Sequence, residues 1–456
     1  MIDNKKIFCE KSVIAFEKKH RKTLRFNIKR YDEAVSKGKE RFYDIELAKK
    51  RASYIREKIL ANLSSYLIEF EKKITDRGAN VIWARDGEEA IRIIFSIIKD
   101  INSCRIVKSK SMISEEIGFN EAAVQTGVES VETDLGEFIV QQAGEKPYHI
   151  LTPAMHKSKE DVAELFHQKF STSKGLSPVE ITRYVRAILR KNFIESEVGV
   201  TGANFLIADV GGISLTENEG NGLMSVAFPR VHIVLAGIER IIPSINDLPL
   251  FLPLLAVHGT GQLVSAYNSL ITGPRKSDED NGPDRMIVVL LDNGRSTLLK
   301  EKEESRALMC IRCGACLNAC PIYKNIGGYT YNSVYTGPIG AVITPFYNGF
   351  RDFGHLSFAC TVCGRCSVAC PVRIPLHDLL LLNRKRYIDL NLDEFSWKTG
   401  MKIFSFVFGK RRRLDLIPGK VKNTALKFNK RILSEQKVLP PIAPESFTRR
   451  WKKFDN

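Results

Sequence analysis

The chain has 456 residues, 44% of them apolar and 27% charged, a globular balance that excludes wholesale disorder and, at about 150 residues per domain, allows two or three domains. Its net charge of +17 is concentrated at the ends: residues 1–60 hold 18 Lys/Arg against 9 Asp/Glu and residues 401–456 hold 15 against 4, which leaves −3 for the body between them. No predominantly apolar run is long enough to span a bilayer and no apolar signal core follows Met1, so the cytoplasm is the expected compartment.

Lys and Glu interleave over residues 1–60, the pattern of a basic helical segment with solvated faces. Residues 40–75 continue as a long amphipathic helix. Strand and helix patterns then alternate: strand 79–84, helix 87–98 with Ile91, Ile94 and Ile98 on one face, and strand 105–108. Ser111 or Ser114 can cap a helix that runs to Gly127. Strand 128–133, helix 135–142 and strand 149–152 follow. This β-α-β-α-β order predicts an open, largely parallel sheet with covering helices. Further strands at 205–208, 213–217, 232–236 and 287–292, some at hairpin spacing, make the sheet mixed.

Polar clusters stand at the ends of these strands, where open α/β sheets bind their ligands. Lys108 and Lys110 precede a helix start, and with Arg275 and Arg295 from other strand ends they form a candidate anion site. Glu217 and Asn218, in the run 217–222, are further candidates for contact with a substrate. Asn, Gly and Asp are also turn residues, and Asn293-Gly294 reads equally well as a turn. The chain contains neither G-x-x-x-x-G-K-[ST] nor a G-x-G-x-x-G behind a strand; Gly259-Thr260-Gly261 lacks the third glycine.

Cysteine spacing carries the sharpest signal. Eight of the ten cysteines form two identical runs, Cys310-x2-Cys313-x2-Cys316-x3-Cys320-Pro321 and Cys360-x2-Cys363-x2-Cys366-x3-Cys370-Pro371, each position 50 residues from its mate, with Gly314 and Gly364 also in register. This is a duplicated [4Fe–4S] motif, in which three close cysteines hold one cluster and the fourth ligates the other. One cluster is therefore assigned to Cys310, Cys313, Cys316 and Cys370, and the second to Cys360, Cys363, Cys366 and Cys320. A third cysteine at the same step and the Cys-Pro ending argue against zinc, and a cytosolic chain argues against disulfides. Cys9 and Cys104 stand alone and read as small buried hydrophobes. Helical patterns over 299–309 and 374–387 bracket the runs and predict a helical ferredoxin module.

The basic end contains Lys410-Arg411-Arg412-Arg413 behind the apolar 403–408, with Pro418, Pro440, Pro441 and Pro444 beyond. The prolines predict an extended arm. Its charge suits an acidic partner protein or, through peripheral contact, an anionic membrane surface; nucleic acid is not expected, because no base-reading element is present.

The runs 107–112, 132–137, 153–157, 217–222, 269–275 and 292–296, in this order before the double cysteine motif, resemble the lactate utilization protein B family. The resemblance, which covers roughly residues 60–395, implies that the basic helical 1–60 is followed by an α/β lactate-utilization (LUD) domain over 61–298, similar in fold to the ribose-phosphate isomerase/CoA-transferase class; a helical ferredoxin module over 299–395 with two [4Fe–4S] clusters; and a basic extension over 396–456. It implies a role in oxidising L-lactate to pyruvate with two partners, a cysteine-rich iron–sulfur protein and a shorter LUD protein. No flavin or nicotinamide motif is present, so the chain is expected to be an electron-transfer subunit of an oxidoreductase rather than a complete enzyme. The alternatives are a LUD domain that itself acts on an anionic acyl or phosphorylated substrate, and a scaffold whose clusters are structural.

Overall fold

A computed structural model describes residues 3–392, 395–428 and 440–454. Its contacts divide the chain into two bodies, residues 1–386 and 387–456.

The first body is built on ten strands: β1 (Asn80–Ala84), β2 (Arg105–Lys108), β3 (Glu129–Glu132), β4 (Val198–Thr201), β5 (Phe205–Ile207), β6 (Gly212–Glu217), β7 (Val231–Gly237), β8 (Ile241–Ile242), β9 (Tyr267–Ile271) and β10 (Arg285–Leu291). Six form a wholly parallel sheet in the order β1-β10-β7-β4-β2-β3. The mixed pairing expected from the sequence belongs to a second sheet, β8-β5-β6-β9, parallel only between β5 and β8.

Period-two alternation along the central strands sends side chains into two cores. Met286, Val288 and Leu290 of β10 join Val234 and Ala236 of β7 on one face, in the core that continues into the cysteine-rich segment. Ile287, Val289 and Leu291 join Ile233 and Leu235 on the other, under the helix Gly87–Asp100. The helices Lys159–Phe170 and Pro178–Glu195 each start from a serine capping box and cover β2 and β3.

Several elements differ from the sequence reading for local reasons. The helical stretch at 40–75 breaks at Asn62 into Ile45–Ala61 and Leu63–Thr75. The helix ending at Gly127 is two short helices, Met112–Glu116 and Phe119–Thr126, parted at Gly118, whose φ of 69° leaves the right-handed region. Residues 149–152 form no strand: the backbone N–H groups of Leu151 and Thr152 both donate to His149 Nδ1, which holds the segment in a bend. The basic N-terminal segment is not solvated all round. Its helix Lys18–Lys39 buries Leu24 and Ile28 and meets the helix Leu248–Thr260 so closely that a Cβ at Gly38 would lie 2.4 Å from the Gly261 carbonyl oxygen. Cys9 and Cys104 are exposed rather than buried.

In the second body the described helices are Phe395–Phe408, Arg411–Leu416, Gly419–Phe428 and Phe447–Lys452, and residues 440–446 are not helical. The arm expected to be extended thus carries helices up to Phe428 and none over 440–446, while 429–439 lie outside the described residues; Pro418 immediately precedes one helix, and Pro440, Pro441 and Pro444 lie in the non-helical stretch. Phe404 and Phe408 stack on one another and stay exposed, and the Arg413 guanidinium lies over the Phe406 ring. Among the described residues, no helix is long and apolar enough to cross a membrane.

Candidate metal centres and the adjoining cavity

The two cysteine runs fold as copies of one another. Each opens from a short 3-10 turn, Glu304–Met309 or Gly354–Phe358, and each ends in a short helix, Ala315–Ala319 or Arg365–Ala369. Between these turns and helices, the second and fourth residues after the leading cysteine take left-handed backbone: Arg312 (φ 59°) and Gly314 (φ 75°) in one loop, Val362 (φ 55°) and Gly364 (φ 74°) in the other. The turn brings a backbone N–H back onto the first sulfur, Arg312 N to Cys310 Sγ at 3.4 Å and Val362 N to Cys360 Sγ at 3.2 Å. A β-branched valine in this region carries strain of about 1–3 kcal/mol, which is typical of a loop shaped for a ligand.

The loops place their sulfurs around two small cavities. Cys310, Cys313, Cys316 and Cys370 line one, and Cys320, Cys360, Cys363 and Cys366 line the other. Each cavity thus draws three cysteines from one run and the fourth from its copy. Electrostatics divides the thiols in the same way. Burial pushes the Cys370 thiol up to about 12, with Cys310 adding to the effect; burial likewise raises Cys316, with repulsion from Cys310, Cys313 and Cys370. Cys366 is raised to about 12 by burial and by Cys320 and Cys360. Four buried sulfurs that repel one another as thiolates need a cationic centre, and iron supplies it, so the donor set fits a [4Fe–4S] cluster in each cavity. The two sites differ in access: Cys313, Cys316 and Cys370 are buried, whereas Cys363 is exposed.

Beside the first cysteine cavity lies a larger one of about 390 Å³ at the carboxyl ends of the parallel strands. Its wall includes Ser109–Ser111 after β2, Gly202–Asn204 after β4, the end of β7 and the residues that follow it, and Tyr31 from the N-terminal helix. Of the residues singled out from sequence, Lys110, Glu217, Asn218 and Arg295 line this cavity; Lys108 and Arg275 are not in its wall. Lys110 Nζ donates to the Leu151 carbonyl, and Asn218 Oδ1 accepts from Gln262 and Ala266. The Glu217 carboxylate accepts from the N–H groups of Gly222 and Leu223, so it caps the helix Asn221–Ala227. Lys108 is fully buried, 2.7 Å from Glu132 and 3.4 Å from Glu115; burial opposes its charge, but these carboxylates hold its pKa above the ordinary value. Arg275 is on the surface, paired with Asp284 at 2.7 Å.

Arg295 is 1% exposed and forms two bonds to Glu116, at 2.8 Å each, and one to Glu239 at 2.5 Å. Sequence reasoning missed its neighbours. Arg240 lies 4.0 Å from Glu239, and Arg312 lies 3.5 Å from the same carboxylate with its guanidinium 4.4 Å from the centre of the Tyr335 ring. Burial pushes the Glu239 carboxyl up, but Arg295, Arg240 and Arg312 together hold it down at about 2. The available signal was the Glu239-Arg240 pair breaking an apolar stretch, and an arginine inside a cysteine run.

Residues 67–291 match the LUD domain and residues 306–374 the 4Fe-4S dicluster domain. The fold and the two quartets therefore define a two-cluster iron–sulfur protein built on a LUD domain. Lactate utilization protein B of Bacillus licheniformis is 42% identical over 355 residues, covering 77% of this chain and 74% of that one. The Bacillus subtilis protein of the same name is 42% identical over 352 residues, covering 77% and 73%. An Escherichia coli K12 protein named as an uncharacterized electron transport protein, YkgF, is 39% identical over 356 residues, covering 78% and 75%. The chain belongs to the lactate utilization protein B family. Among solved structures, a DUF162 family protein from Deinococcus radiodurans aligns with a TM-score of 0.28 and 14% identity, over 50% of this chain and 98% of that one.

Proposed function

We propose that the chain is the iron–sulfur electron-transfer subunit of a system that oxidises L-lactate to pyruvate, with Cys310, Cys313, Cys316 and Cys370 holding one cluster and Cys320, Cys360, Cys363 and Cys366 the other. The observation that carries this reading is the pair of four-cysteine cavities in one body, one bordering a large cavity and the other reaching the surface at Cys363. Each bound cluster supplies a reversible one-electron centre. Oxidation of a 2-hydroxy acid to a 2-keto acid releases two electrons and two protons, so two such centres match one turnover. The cysteines fix the carriers, the left-handed loops direct N–H groups at sulfur, and the buried arginines offset thiolate charge on the inner side.

Partners follow from the same reading: a cysteine-rich iron–sulfur protein and a shorter LUD protein would supply the hydride-accepting chemistry for which this chain has no nucleotide motif. The arginine-lined cavity favours a second reading, in which the LUD domain is itself catalytic on an anionic substrate. One experiment separates them. The chain is purified anaerobically, alone and with its two partners, and cluster absorbance is followed on adding L-lactate. Bleaching only with the partners present is the expected result; bleaching of the isolated chain would favour the second reading, and no bleaching in either case would reject lactate as the electron source.

A further inference from the structure

The wall between the large cavity and the first cysteine cavity is built from residues that belong to both. Arg312 and Ile150 line the two cavities alike. Arg312 is 8% exposed, and its Nε and Nη1 are buried without a hydrogen-bond partner among the described residues. Buried guanidinium N–H groups are costly to leave unsatisfied. Its one carboxylate contact, Glu239 at 3.5 Å, is shared with Arg240 and with Arg295, and Arg295 also takes both oxygens of Glu116. Within this cluster three arginines share two carboxylates, and Arg312 keeps two guanidinium nitrogens without a partner among the described residues; Lys110, Asp134, Glu217 and Glu219 stand elsewhere on the cavity wall. The cysteine thiolates lie on the other side of Arg312. Arg240, however, lines the large cavity and not the cysteine cavity.

We propose that this cavity binds a small organic monocarboxylate through Arg240 and Arg312, and that Arg312 couples its occupancy to the charge on the cluster held by Cys310, Cys313, Cys316 and Cys370. The proposal deepens the electron-transfer reading and rests on it. A guanidinium pair matches a carboxylate in geometry, and the carboxylates of Asp134, Glu217 and Glu219 on the same wall disfavour a more highly charged anion such as phosphate. At about 390 Å³ the cavity exceeds what a three-carbon acid needs, and its size is within the range of ordinary small-ligand sites, so larger carboxylates also fit. Coupling follows from position. The Arg312 backbone N–H donates to Cys310 Sγ while its side chain borders the cavity, so one added electron on the cluster and one anion in the cavity compete for the same positive charge. Linkage makes this reciprocal: the anion binds more tightly to the oxidised chain, and its binding lowers the potential of that cluster alone.

The test uses the full chain, purified anaerobically with both clusters. Binding of L-lactate and pyruvate is measured by calorimetry on the oxidised and dithionite-reduced protein, and potentials are followed by EPR with and without each acid, with inorganic phosphate as control at equal ionic strength. A monocarboxylate should bind the oxidised form at least about tenfold more tightly, equivalent to lowering one of the two midpoints by about 59 mV. Arg240→Gln should lose at least about tenfold in affinity and abolish the shift with iron content unchanged, and Arg240→Lys should recover part of both. Arg312→Lys, which keeps the charge but loses the fork, should weaken binding while the cluster assembles. Absence of monocarboxylate binding, a shift that survives Arg240→Gln, or equal binding of phosphate would each overturn the proposal. Clusters that reduce reversibly but ignore the acids would sink this inference alone; clusters that cannot be reduced would sink the electron-transfer reading itself.

Discussion

Arg56 has no motif around it, yet it ties the body together. It is 1% exposed, and its guanidinium donates to four backbone carbonyls: Glu239 at 2.7 Å, Leu308 at 2.8 Å, Ile241 at 2.9 Å and Met309 at 3.1 Å. Two of those carbonyls lie just before and at the start of β8 and two belong to the residues just before Cys310, so one side chain joins the LUD domain to the first cysteine loop. Burial lowers its pKa to about 10, which still leaves it charged at neutral pH. Arg56→Met keeps much of the volume and strands the four acceptors. The expected cost is about 3–5 kcal/mol, read as a lower denaturation midpoint with faster loss of cluster absorbance; a midpoint within about 0.5 kcal/mol of the parent would show that these bonds are replaceable. Nothing in the sequence announced Arg56, because its partners are backbone atoms that only the tertiary fold brings together. The cysteines were legible for the opposite reason: their chemistry fixes their spacing. Lys108 and Lys110 show the middle case. Both follow from the strand-end rule, but Lys110 lines the cavity while Lys108 is paired with Glu132 and Glu115 in the interior.

The duplicated loops are where local sequence and long-range assembly meet. Positions 312, 314, 362 and 364 share one backbone shape, although arginine and valine have no intrinsic preference for it. The shape recurs at matching positions of the two runs, as expected of a duplicated loop that folds around a ligand. Most strands were legible from period-two patterns. Three that were not are β4, β8 and β9: β4 is buried along its whole length and so shows no alternation, β8 has two residues, and β9 lies at the edge of the second sheet, where half-exposed residues blur the pattern. The segment 149–152 shows local competition, since a histidine nitrogen takes the N–H groups a strand would have used. The exchange of the fourth cysteine between loops gives a direct prediction. Cys370→Ser should damage the cluster of Cys310, Cys313 and Cys316, fifty residues or more away in sequence, and spare the one in its own run; Cys320→Ser should do the reverse. EPR of each reduced variant checks this, and an intact signal from the Cys310 site in Cys370→Ser would refute the crossing.

The first body sets one cysteine quartet beside a ligand-sized cavity and places the other at the surface through Cys363, and its core runs unbroken from the sheet into the cysteine loops. The arginines at the inner site distinguish the two environments: Arg56, Arg240 and Arg312 all sense the charge of Cys310. Concentrated positive charge stabilises the reduced, more negative cluster, so the inner centre should have the higher potential in the absence of a bound anion. The measurement that tests the central claim most directly is an EPR-monitored potentiometric titration of the anaerobically purified chain. The account predicts two reversible one-electron steps per chain, with the more positive midpoint belonging to the cluster that Cys370→Ser removes. A single step, or no reversible reduction at all, would contradict a two-cluster electron carrier.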